Sequence, residues 1–117
     1  MTIVRQLLND KPDAPLITIA STGTVLDALK IMKENNTGSV LVSEGNKIIG
    51  IYTERDYARR GEVMGQCARD TLISDVMTRE MVMVKPETSA RQCAELMARY
   101  HVRHLPVLEN EHVIGVV

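Results

Sequence analysis

The sequence contains no tryptophan and no phenylalanine, so its three tyrosines are its whole aromatic content, which leaves little on which to stack nucleic acid bases. Nor is there an excess of positive charge. The 14 Lys and Arg residues face 15 Asp and Glu, a formal net charge of −1, so nothing marks a surface for gripping a phosphodiester backbone. Nucleic acid is therefore not an expected partner. Cys67 and Cys93 are the two cysteines and show no C-x-x-C spacing. Buried thiols are expected rather than a bridge. No apolar run approaches the roughly 20 residues of a membrane span, and the opening M-T-I-V-R-Q-L-L-N-D-K lacks the apolar stretch of a secretory signal. A soluble cytoplasmic protein with no membrane partner is the expectation.

Catalytic signatures are missing as well. There is no G-x-S-x-G, no G-x-x-x-x-G-K and no H-E-x-x-H, so no enzymatic activity is expected. His101-x-x-His104, with Cys93 eight residues upstream, offers zinc-ligand types. However, the expected helix ends near His101 and the expected strand begins near His104, so the two imidazoles do not share a helical face. Cys93 falls on the apolar stripe of that helix, and no metal site is expected.

What is present is a chain of 117 residues, 44% of them hydrophobic, enough for one compact domain or for two halves sharing a core. An internal repeat favours the second form. Shifting the sequence by 65 residues sets I-G-I at 49–51 on I-G-V at 114–116, Val42 on Val107 and Met32 on Met97. Ile17 and Ile19 fall on Val82 and Val84, and Val25, Ala28, Leu29 and Met32 fall on Ala90, Cys93, Ala94 and Met97. Few of these residues are identical, so the shared signal is a pattern of burial.

Each copy reads as a short strand (Leu16 to Ile19; Met81 to Val84), a helix capped by Thr24 or by Thr88 and Ser89, and a hairpin. The hairpins are S-V-L-V-S, E-G-N, K-I-I-G-I-Y and H-L-P-V-L, E-N-E, H-V-I-G-V-V. The pattern predicts an α/β fold of the α+β type, with two pseudo-twofold-related β-α-β-β(-α) repeats. An N-terminal helical segment is expected over 1–15, the first repeat with its closing helix and connector over 16–73, and the second repeat over 74–117. Between the copies the sequence predicts a helix ending near Gly61 or Gly65, a loop, and a helical turn capped by Ser74.

The stretch G-I-Y-T-E-R-D at 50–56 has two readings. Thr53 and Asp56 have the spacing of a capping box, as do Thr24 and Asp27. Alternatively, the Asp56 carboxylate, an acceptor for two O–H groups at once, holds a ribose diol, and Gly50 lets a ligand or another backbone approach. Arg55, Arg59 and Arg60 read as a solvated or interfacial face that lies one turn from Asp56 and within reach of a phosphate tail.

Taken together, the repeat, G-I-Y-T-E-R-D, S-D-V-M-T and R-H-L-P-V resemble a tandem pair of cystathionine-β-synthase (CBS) domains, over about Leu16 to Val117. T-I-V-R-Q-L-L and E-R-D-Y-A-R-R are similar to small stand-alone bacterial members. The resemblance implies a regulatory module that binds an adenosine-containing nucleotide (AMP, ATP, NAD or S-adenosylmethionine) in a cleft between repeats, with no other cofactor. It implies that Thr53 contacts ribose or phosphate and that Asp56 takes the 2′ and 3′ hydroxyls. Met81, Val82 and Met83 then flank the base, and Arg103 and His104 face phosphates. A second, non-equivalent cleft is implied at Leu16, Ile17, Thr18, Gly38 and Ser39. The family pattern continues past V-I-G-V-V into another Ser/Thr-x-x-Asp and a closing helix, so the second repeat reads as truncated at Val117. CBS pairs associate through their helices, and the helix stripes here are compatible with a homodimer. A ligand-free dimerisation or interaction module is the alternative reading.

Overall fold

The computed structural model describes residues 1–9 and 16–117; positions 10–15 of the expected N-terminal segment lie outside the described residues. Two compact units emerge, one formed by Ile17–Glu80 and the other by residues 1–9 and 16 with Met81–Val117. The first unit ends at Glu80.

In the first unit, β1 (Thr18–Ala20) runs parallel to β2 (Ser39–Glu44), which pairs antiparallel with β3 (Lys47–Thr53). β1 starts at Thr18, two residues later than the alternation suggests. The helix between β1 and β2 is α2 (Val25–Glu34), numbered after the N-terminal α1 (Val4–Asn9). Thr24 caps α2: its Oγ1 accepts from the Asp27 N–H at 3.1 Å, and the Asp27 carboxylate accepts from the Thr24 N–H at 3.0 Å. Asn36, at φ 50°, takes the left-handed position after the helix end, a conformation asparagine tolerates. Val25, Ala28 and Met32, at the predicted helical spacing, pack with Ile19, Val40, Val42, Tyr52, Ile73 and Met77 into the core of this unit.

After β3 comes a single turn of α-helix, α3 (Glu54–Asp56), and then a π-helical segment, Tyr57–Glu62. The Tyr57 ring fills the space beside Gly61, where an added Cβ would lie 2.5 Å from a ring carbon. The Tyr57 hydroxyl donates to Glu62. The next helix, α4 (Ile73–Val76), follows Leu72, and Ser74 lies inside it rather than at its cap. Docking sets this start: Leu72 bridges to Thr24, the Ile73 N–H bonds the Gly23 carbonyl at 2.9 Å, and the Ile73 side chain is fully buried.

The second unit contains α5 (Ala90–Tyr100) and the hairpin β4 (Pro106–Glu109) and β5 (His112–Val116). Ser89 and Gln92 form the α5 capping box, while the Thr88 hydroxyl accepts from the Lys85 N–H at 3.0 Å. Cys93 is buried but Ala94, predicted on the same stripe, is exposed; Leu96 takes the inward position.

The predicted strand Met81 to Val84 does not form. Only Val84 bridges to Val107, donating to Pro106 and accepting from Leu108. In the first unit the Leu41 N–H bonds the Ile17 carbonyl at 2.9 Å. The residue 65 positions on from Leu41 is Pro106, which has no N–H to give, so this rung has no counterpart.

The N-terminal residues complete the second unit. Val4 is 0% exposed among Val84, Cys93, Leu105 and Val107. The Val4 N–H bonds the Thr88 carbonyl and the Ala90 N–H bonds the Thr2 carbonyl, both at 2.8 Å, and Ile3 bridges to Ser89. These contacts mirror those of 71–73 in the first unit, where the Val25 N–H bonds the Thr71 carbonyl at 2.9 Å. T-I-V-R-Q-L-L at 2–8 is thus the counterpart of T-L-I-S-D-V-M at 71–77, at an offset of 69 rather than 65. Each leader packs on the body that is not its own sequence neighbour downstream. Arg5 adds an ion pair to Glu109 at 2.6 Å in the second unit.

Cys67 is exposed, whereas Cys93 is buried, and burial pushes its thiol pKa up. Because the thiolate is the reactive form, native protein is expected to react with a disulfide dye at one thiol quickly and at the second only on unfolding. Two equally fast thiols would contradict the placement of Cys93.

Candidate functional site

Thr53 closes β3 in extended conformation and caps the helical turn that follows it. Its Oγ1 accepts from the Asp56 N–H at 3.1 Å, and Asp56 Oδ2 accepts from the Thr53 N–H at 3.0 Å. The carboxylate is therefore turned toward the start of its own helix, as the capping reading predicts. This uses only part of its capacity, since Oδ1 accepts no hydrogen bond among the described residues and the Thr53 hydroxyl proton remains to be donated. The Thr24–Asp27 box has the same bonds at the same lengths. The two differ in setting, for Asp27 is exposed and Asp56 half-buried.

The neighbours of Asp56 set its field. Tyr52, the residue before Thr53, is 2% exposed. Burial, with the charge of Asp56 second, pushes its hydroxyl pKa up to about 12, while Arg60 pulls the other way. The Tyr52 phenol stays neutral through the physiological range, and Asp56 and Arg60 both act on it. Arg55 is half-buried, and Arg59 and Arg60 are exposed.

Of the two approaches that Gly50 suggests in the sequence, another backbone or a ligand, the structure shows the first. A Cβ there would meet Met77 Sδ at 2.6 Å and the Thr78 carbonyl oxygen at 3.0 Å. The close approach is made by the α4 leader of the same unit, not by open space for a ligand. Gly115 is its counterpart, with Leu8 Cδ2 at 2.7 Å.

Of the second-cleft residues, Ile17 packs partly against the first core, Thr18 is exposed and Ser39 is buried. Gly38 accepts from the Glu54 N–H at 3.0 Å. With Lys33, Asn36 and Thr37 it lines a groove of about 420 Å³ at the end of α2. In the second unit, Met81 and Val82 are half-buried and Val82 leans on the core, while Met83 is exposed. Arg103 is exposed and His104 half-buried on the approach to β4. His101 closes α5 with φ 55° and stands exposed. Among the described residues, no three His, Cys, Asp or Glu are grouped to hold a metal ion, and no helix is long and apolar enough to cross a membrane.

Comparison with known proteins places these features in context. The CBS domain family matches twice, at residues 4–62 and 73–117. The first match includes the N-terminal leader. The mitochondrial CBS domain-containing protein CBSX3 of Arabidopsis thaliana is 36% identical over 110 residues, covering 90% of this chain and 53% of its own length. The chain therefore spans about half of that relative. A CBS-domain protein from Burkholderia ambifaria MC40-6 superposes with a TM-score of 0.94 at 38% identity, over 99% of this chain and 87% of the other. The CBS domain pair of protein MJ0100, solved in complex with 5′-methylthioadenosine and S-adenosyl-L-methionine, matches with a TM-score of 0.84 at 25% identity, over 100% and 89% of the two chains.

Proposed function

The chain belongs to the CBS domain family, and from that premise we propose that it is a regulatory module sensing an adenosine-containing nucleotide. AMP, ATP, NAD and S-adenosylmethionine are the candidates. The observation that carries the proposal is the Thr53–Asp56 turn, half-buried, with one carboxylate oxygen and one hydroxyl proton uncommitted. Asp56 accepts the ribose 2′ and 3′ hydroxyls, and Thr53 donates to ribose or phosphate. On the second unit, Met81 and Val82 are the proposed base contacts, and Arg103 and His104 the proposed phosphate contacts. Ile17, Thr18, Gly38 and Ser39 are the corresponding proposed residues of a second, weaker site. The adenosine compounds bound by MJ0100 support this choice of ligand class.

The twin capping box provides the control. Asp27→Ala and Asp56→Ala each remove the N3 half of a capping box, at under about 1 kcal/mol each. In a thermal-shift titration, a ligand at a hundred times its dissociation constant adds about 2.7 kcal/mol of apparent stability. That gain is expected to persist in Asp27→Ala and to be lost in Asp56→Ala, with adenosine shifting melting more than its 2′,3′-dideoxy analogue. Equal ligand shifts in the two variants, or no preference for the diol, would reduce Asp56 to a cap.

The dimer reading also draws on a specific observation. Val63 and Met64, after the π-helical segment, are 78% and 68% exposed, an adjacent apolar pair that a partner could cover. Light scattering on the wild-type chain and on a Val63→Ser, Met64→Ser variant separates association from sensing.

A further inference from the structure

Along α5 the second unit carries a groove of about 600 Å³ that the nucleotide reading does not use. Gln92, Glu95, Leu96 and Arg99 line it at i, i+3, i+4 and i+7, one stripe of the helix about 10 Å long. Met83, Val84 and Lys85 line it from the chain ahead of the helix, and Met83 is 40% exposed. The Val84 N–H donates to the Pro106 carbonyl at 3.0 Å and its carbonyl accepts from the Leu108 N–H at 2.8 Å, so both of its backbone groups face β4. In a parallel ladder the flanking residues then turn theirs the other way. Those of Lys85 are taken by Thr88, whose hydroxyl accepts from the Lys85 N–H and whose N–H donates to the Lys85 carbonyl, both at 3.0 Å. The N–H and carbonyl of Met83 have no hydrogen bond among the described residues.

Charge separates this face from its copy in the first unit. Lys85 and Arg99 are exposed, and among the described residues neither has an ion pair. Glu95, the carboxylate in the groove, is held by Arg91 at 3.6 Å. Sixty-five positions earlier, Ala20 and Glu34 stand where the second unit has Lys85 and Arg99, and Asp27 and Lys30 where it has Gln92 and Glu95. The two units share a burial pattern but not these cations, so the fold itself does not call for them. We propose that the groove docks a short extended segment of a partner protein in which apolar and acidic residues alternate. Its apolar side chains rest on Met83 and Leu96, its carboxylates meet Lys85 and Arg99, and its backbone pairs with Met83. An open N–H and carbonyl on an edge are what strand addition uses. Three extended residues, at about 3.3 Å each, match the length of the stripe. Oppositely charged rims also set register and speed encounter. The proposal is independent of the role of Asp56.

The test uses the full chain and synthetic peptides that alternate Val with Glu, Val with Lys, or Ser with Glu, followed by fluorescence anisotropy and by amide shifts in NMR spectra. The Val–Glu peptide is expected to bind, to shift amides of 83–88 and 92–99, and to weaken at raised salt. The Val–Lys and Ser–Glu peptides, and a Val–Glu peptide N-methylated at alternate residues, are expected to bind at least tenfold more weakly. Lys85→Glu with Arg99→Glu is expected to turn the preference toward the Val–Lys peptide. The melting temperature should hold, because both side chains are exposed. No binding of the Val–Glu peptide at millimolar concentration, equal binding of the peptides, an unchanged preference in the double variant, or shifts confined to the first unit overturns the proposal. So does a wild-type dimer in light scattering that the double variant dissociates, since a second copy would then fill the groove.

Discussion

Val4→Asp is expected to unfold the second unit while the first keeps its structure. Val4 is fully buried among Val84, Cys93, Leu105 and Val107, and none of these can pair a carboxylate. An unpaired charge in such a site costs more than about 4 kcal/mol, against a total stability of about 5–15 kcal/mol for a typical domain. Val4→Ala, which removes two methyl groups, is expected to cost about 2 kcal/mol. Leu7→Asp on the outer side of the same helix, 37% exposed, is expected to cost under about 1 kcal/mol. Hydrogen exchange provides the reading by location. Amides of β4 and β5 lose protection in Val4→Asp, and amides of β2 and β3 retain it. Uniform protection in both hairpins would show that the N-terminal leader does not hold the second unit together.

The second large effect concerns Gly50, where Met77 and the backbone of Thr78 make the close approach. Gly50→Val places a branched side chain where even a Cβ would stand 2.6 Å from Met77 Sδ. Overpacking of this kind costs about 1–3 kcal/mol, and the gain in strand propensity from valine returns at most about 1 kcal/mol. A net loss of about 2 kcal/mol in urea unfolding is expected. Met77→Ala in the same chain is expected to recover only part of it, because the Thr78 carbonyl oxygen, 3.0 Å from the same Cβ, belongs to the backbone. At Gly115 the nearest atoms all belong to the Leu8 side chain, so Gly115→Val with Leu8→Ala is expected to recover nearly all. If Met77→Ala brings no recovery while nucleotide binding is lost, Gly50 serves the ligand rather than the leader.

Side-chain periodicity made the two bodies legible. Val25, Ala28 and Met32 on one helical face, the alternation through β2 and β3, and the Thr24, Thr53 and Ser89 caps are local signals, because each depends on residues within one or two turns of chain. The I-G-[IV] repeat located the hairpins for the same reason. The candidate site was legible as residues, but its two readings at Thr53 and Asp56 differ in what surrounds the turn, which spacing does not encode.

Three features were decided by tertiary structure. The leaders escaped the repeat because their offset is 69 where the bodies keep 65, and a six-residue helix with one fully buried side chain among those described carries no measurable period. Met81 to Val84 has the composition of a strand, yet a strand exists only where a partner donates, and Pro106 cannot. Nor does a pattern of apolar residues announce the π winding of Tyr57–Glu62, which follows from a ring packed against a residue with no side chain. Thus the sequence by itself determined which residues fold inward within each repeat, since burial periodicity is local. Only the tertiary structure decided which leader completes which body, because that depends on contacts between residues that are far apart in the chain.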